Sequence, residues 1–164
     1  SCWKWQNSLN NSKIKKNLRI DIMVEFSDLY KEIQEHGIFL YQYDAGKIKS
    51  ATIELNKQYG IFIDITRFPS LAETKRAIAH ETGHCVTGCT HKVSSSLDLV
   101  AKHEYKANQW AVKNFLPFEK IRAAIQDGYS EPWQLAEYFG LPESAIKWAI
   151  HYYIENCGLS FNVK

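Results

Sequence analysis

His80, Glu81 and His84 stand in the run His-Glu-Thr-Gly-His, and that spacing suits a divalent metal. On a helix, positions i and i+4 lie one turn apart on the same face, so both imidazoles can bind one ion. Glu81 is turned roughly 100° from His80. From there its carboxylate reaches a water beside the ion rather than the ion itself. Two neutral imidazoles and one carboxylate, with a fourth position left open, are a catalytic zinc set. The expected chemistry is that of a zinc hydrolase with Glu81 as its base. The plain alternative is a helix whose histidines fall there by accident.

A third protein ligand is needed. Glu104 is the first candidate, because it lies midway along a second expected helix after a loop of sensible length. Asn108 is i+4 from Glu104 and shares its face, where it could hydrogen-bond the far nitrogen of His80 or His84. His91, His103 and Asp98 compete as ligands. His103 is turned about 100° from its neighbour Glu104, and His91 falls in the loop. Cys85 and Cys89 point at least about 100° away from the paired histidines and read as small buried apolar residues. For a donor that would stabilise an oxyanion, His103, His151, Tyr152 and Tyr153 are all available, and nothing selects among them.

Three segments carry a resemblance to a known family. They are Arg76-Ala-Ile-Ala-His-Glu-Thr-Gly-His84, Glu104-Tyr-Lys-Ala-Asn-Gln-Trp-Ala111, and Leu116-Pro117. Over roughly residues 25 to 155 the chain resembles the ImmA/IrrE zinc metallopeptidases of phages, mobile elements and their hosts. The resemblance implies His80, His84 and Glu104 as metal ligands, Glu81 as catalytic base, and a reduced thermolysin-like (gluzincin) core. It also implies an endopeptidase whose protein substrate is a helix-turn-helix repressor of a phage or mobile element.

The elements that must position these side chains can be read in order. Ser27 to Glu35 is a helix ended by Gly37. Strands follow at residues 38–43, 50–55 and 61–65, with Ala51, Ile53 and Leu55 expected on the buried side of the second and Asn56 to Gly60 as a hairpin loop. Ser70 and Glu73 form a capping-box start for the helix that carries the histidines, and Gly88 is its stop. Leu71, Ile78 and Val86 should turn toward a core. A polar loop over 89–96 leads to a helix from Leu97 to Leu116, ended by Pro117. Shorter helices follow over 118–126, 130–138 and 142–155. The fold expected is α+β: a small, largely antiparallel three-stranded sheet with a helical remainder.

Composition narrows the alternatives. The chain has 164 residues and a net charge of +2, so no global field argues for nucleic acid or an acidic membrane. No run approaches the roughly 20 apolar residues that span a bilayer. The four cysteines contain no C-x-x-C pair and fit reduced thiols in a cytoplasmic protein. Residues 1–22 are rich in Lys, Asn and Ser and precede the single methionine, Met23; they are expected to be a non-native or disordered arm. Residues 23–128 would form the peptidase core and 129–164 a C-terminal helical subdomain packed on it. Gln134 to Trp148 has a helix-turn-helix look, but its second helix starts with Glu143, Ser144 and one Lys147, a poor face for bases or phosphates. Two readings outside hydrolysis remain at this stage: a regulator that binds its partner without cutting it, and a DNA-binding regulator.

Overall fold

The computed structural model describes residues 23–44, 46–90 and 95–162; the arm expected over 1–22, His91 and Cys2 lie outside these. Helix α1 (Phe26–Glu35) is closed at its start by a reciprocal capping box between Glu25 and Asp28 and buries Leu29 and Ile33. Three strands follow, β1 (Phe39–Gln42), β2 (Ser50–Leu55) and β3 (Gln58–Ile63). The sheet order is β1-β3-β2. β2 and β3 form the expected antiparallel hairpin, whereas β1 runs parallel to β3. The sheet is therefore mainly antiparallel with one parallel edge. Its hairpin turn is shorter than the loop expected over 56–60. Asn56 and Lys57 both adopt left-handed backbone, with φ of 51° and 65°, the pattern of a two-residue turn whose twist matches the strands.

The two faces of the sheet correct one expectation. Ile61 and Ile63 point into the core, and the register sets them opposite Thr52 and Ser50. The inward face of β2 is therefore its polar one. Ile53 and Leu55 are exposed, on the side where the rings of Tyr41 and Phe62 stack with centroids 5.1 Å apart. The reason lies across the interface, where a buried carboxylate needs hydroxyl donors.

Helix α2 (Leu71–Thr87) starts on Ser70, whose Oγ accepts the Glu73 N–H, and ends at Gly88 in left-handed conformation. It packs on β2 and β3 on one side and, most extensively, on helix α3 (Leu97–Phe115) on the other. With neighbours on several sides, its residues from Glu81 to Cys85 are all buried. Ile78 is in the core as expected and Val86 is half-buried, but Leu71, at the first helical position, is exposed.

Helices α4 (Phe118–Gln126), α5 (Pro132–Phe139) and α6 (Glu143–His151) complete the fold, followed by one wider helical turn over Tyr152–Asn156. Together the last two cover the span expected for the final helix, to within one residue at each end. Leu135, Phe139, Ile146 and Ala149 from these helices join Leu29, Ile61, Ile78 and Leu116 in one continuous apolar core. The α+β architecture expected from the sequence is the one found.

Candidate metal centre

α2 carries His80 and His84 one turn apart on the side facing α3, and α3 brings Glu104 to meet them. His80 Nε2 lies 3.0 Å from Glu104 Oε2, and His84 Nε2 lies 3.2 Å from Glu104 Oε1. The two Nε2 atoms are 3.0 Å apart. Four-coordinate zinc with bonds of about 2.0–2.2 Å sets its donor atoms roughly 3.3 Å from one another. The three side chains fit such an ion. Among the described residues they form the only cluster of three or more His, Cys, Asp or Glu able to hold a metal. His103 and Asp98 are not part of it.

The outer nitrogens explain why a cation belongs here. His84 Nδ1 is 2.9 Å from the Cys89 carbonyl oxygen, which can only accept, so Nδ1 carries the proton. His80 Nδ1 is 2.8 Å from Asn108 Oδ1. A neutral ring whose Nδ1 carries its proton presents an Nε2 lone pair to the other ring and to a carboxylate. Three electron-pair donors facing one another repel; a divalent cation between them converts repulsion into coordination. Asn108 stands where the helical spacing put it. The Cys89 carbonyl went unforeseen, because a backbone acceptor has no residue type to reveal it. The Gly88 stop was its only signal: a left-handed residue there curls Cys89 back under His84.

Glu81 is 8% exposed, and each of its carboxylate oxygens has a hydroxyl donor. Ser50 Oγ donates to Oε1 at 2.7 Å and Thr52 Oγ1 to Oε2 at 2.6 Å. A buried carboxylate without such partners would be costly. Each oxygen keeps a further lone pair for a proton from a reacting water. The alternating Ser-x-Thr of β2 was visible in the sequence, but the strand's stronger apolar alternation hid it.

The remaining sequence candidates sort by burial. Cys85 and Cys89 are both buried. Burial first of all, with Glu81 adding to it, pushes the Cys85 thiol up to about 12, against the lowering effect of its bond with Thr52. A protonated buried thiol is a poor metal ligand. Tyr153 donates its hydroxyl proton to the Leu116 carbonyl at 3.1 Å, and burial raises that phenol to about 12. The Tyr152 hydroxyl accepts from Gln109 Nε2 at 2.9 Å, and His151 is exposed. On α6, Lys147 is tied to Glu143 at 2.7 Å, which leaves that helix little free charge for phosphates. No helix of the described residues is long and apolar enough to cross a membrane.

No curated protein and no solved structure matches the chain. A peptidase family model, described as the IrrE N-terminal-like domain, matches residues 33–151. That span contains the three converging donors, Glu81, and the Ser50, Thr52, Cys89 and Asn108 groups that hold them. The chain therefore belongs to the ImmA/IrrE peptidase family, through its IrrE N-terminal-like domain.

Proposed function

We propose that the protein is a zinc-dependent endopeptidase, with His80, His84 and Glu104 as the metal ligands and Glu81 as the catalytic base. The observation that carries this reading is the convergence of three lone-pair donors, both imidazoles held in the metal-binding tautomer, beside a buried glutamate. Two nitrogens and one oxygen are the donor set of catalytic zinc, with one position left for solvent or substrate. A structural site would be closed by a fourth protein ligand, and it would need no base.

Held by His80, His84 and Glu104, zinc would supply Lewis acidity toward a peptide carbonyl and a water beside Glu81. Glu81 accepts the proton of the attacking water and returns it to the departing amine nitrogen. The hydroxyls of Ser50 and Thr52 fix the direction of that carboxylate. Asn108 and the Cys89 carbonyl hold the two imidazoles with Nε2 turned toward the metal position.

The proposed substrate is a helix-turn-helix repressor of a phage or mobile element, on the strength of the family resemblance. A cytoplasmic location follows from such a substrate, and the buried, unpaired thiols of Cys85 and Cys89 fit a reducing compartment. Direct nucleic-acid binding is disfavoured by the neutralised α6. Co-expression with a helix-turn-helix regulator from the same genome tests the reading. A specific regulator fragment should appear with the native chain and vanish on chelation or with Glu81→Gln. Persistence of the fragment in that variant would remove Glu81 as base.

A further inference from the structure

The sheet has two faces, and only one of them is covered among the described residues. The inner face packs on α2. The register turns Phe39 and Tyr41 of β1, Phe62 of β3, and Ile53 and Leu55 of β2 to the outer one. Tyr43, just past β1, joins them with its ring edge-on to Phe62 at 5.9 Å. Phe39 stacks on Tyr41, and Tyr41 on Phe62. Gly60 permits this flat layer, because a methyl group there would meet the Phe62 ring at 3.2 Å and the Tyr41 ring at 3.6 Å. The two rings lie along bare backbone instead of standing off it. Phe62 apart, each of the six side chains is between 47% and 71% exposed.

Area and charge define an occupant. A large side chain left half exposed offers roughly 100 Å² to solvent, so these five set out about 500 Å² of apolar surface. A patch of that size on a monomer is often functional. With Phe62 and the flanking backbone it approaches the roughly 800 Å² that each partner buries in a standard stable interface. No strand position on this face is charged. Two copies can therefore bring it together about a two-fold axis without like charges meeting. Nucleic acid fits less well, since bases stacked on aromatic rings need cations beside them for the phosphates.

We propose that the outer face of the sheet joins two copies of this chain in a homodimer, packed sheet on sheet with Tyr41, Phe62 and Ile53 at its centre. Facing sheets lie about 10 Å apart with their side chains interdigitated, which suits a layer of rings flanked by Ile and Leu. The reverse of β2 carries Ser50 and Thr52, the donors to Glu81. The contact thus backs the strand behind the candidate base and leaves the metal centre open on the far side. It holds whether or not that centre cuts peptides.

Sedimentation velocity on the full chain, over about 1 to 100 μM, tests this. The native protein should reach twice the mass of one chain. Ile53→Glu sets a charge at the centre of the face in both copies and should weaken dimerisation by about tenfold or more. Circular dichroism checks that the variant is folded, and Leu55→Glu, at the most exposed of these positions, gives the same reading should Ile53→Glu fail to fold. Leu97→Glu, exposed on α3 and away from the sheet, should remain dimeric. Dimers that persist in the folded charge variants, or that are lost equally in Leu97→Glu, would overturn the proposal. So would a native chain that stays monomeric throughout. In that case, binding of anilinonaphthalene sulfonate that Ile53→Glu abolishes would point to a different partner for the face, and no binding would point to cover by residues 1–22.

Discussion

A methyl group on Gly83 would lie 3.0 Å from Ala107 Cα and press still closer on the Ala107 carbonyl oxygen, because α2 and α3 cross there backbone against backbone. Gly83 precedes His84, and Ala107 lies one turn after Glu104. The crossing therefore sets the carboxylate over the imidazoles. Gly83→Ala should gain about 1 kcal/mol of helix propensity and lose about 1–3 kcal/mol to overpacking against backbone that cannot rotate away. We expect a lower melting temperature for the metal-free protein and weaker zinc binding. Unchanged zinc affinity in a folded Gly83→Ala protein would show that the close approach does not position Glu104.

Asn108→Ala should weaken zinc binding by roughly 10–100-fold, the usual cost of losing the partner that orients a ligating histidine. The fold should survive, since Asn108 is only half-buried. Competition against a chromophoric chelator measures this directly. Native affinity in the variant would mean that the 2.8 Å contact to His80 does not matter for the metal.

Thr52→Val keeps the shape of the side chain and removes one donor from Glu81. A hydrogen bond to a charged group contributes about 1.5–3 kcal/mol, so the melting temperature should fall. Cleavage should slow by about tenfold or more, while zinc affinity stays near native. That separation distinguishes a Glu81-positioning role from a general packing defect, and a parallel loss of zinc would favour the latter. Ser50→Ala should act in the same direction.

Thiol labelling tests the buried side of α2. With its thiol pushed up to about 12, Cys85 is roughly one part in ten thousand thiolate at pH 8 even before access is considered. Exposed Cys157 should alkylate quickly in the folded protein, and Cys85 only on unfolding. Peptide mapping after a short iodoacetamide pulse reads both. Prompt labelling of Cys85 would place it in solvent or beside a metal.

Periodicity and caps located most elements. The Ser70 start, the Gly88 stop and the Pro117 break all act on backbone within a few residues, so the sequence displays them directly. The His80/His84 pair and Asn108 were legible for the same reason, helical geometry being regular. Glu104 needed two helices to meet, and the residue that lets them meet, Gly83, occupies a variable position of the motif. The face of β2 was misread because alternation shows which residues share a side, not which side is inside. Ser50 and Thr52 turn inward because the buried Glu81 must be satisfied, a demand set by a residue 29 positions beyond Thr52. The parallel pairing of β1 is equally non-local.

Zinc-edge X-ray absorption on the purified, zinc-loaded protein tests the central claim most directly. Coordination by two imidazole nitrogens and by oxygen, all at about 2.0–2.2 Å, with loss of the zinc signal in His84→Ala, is the predicted result. A sulfur shell at about 2.3 Å, or a spectrum unchanged by Glu104→Ala, would contradict a centre built from His80, His84 and Glu104.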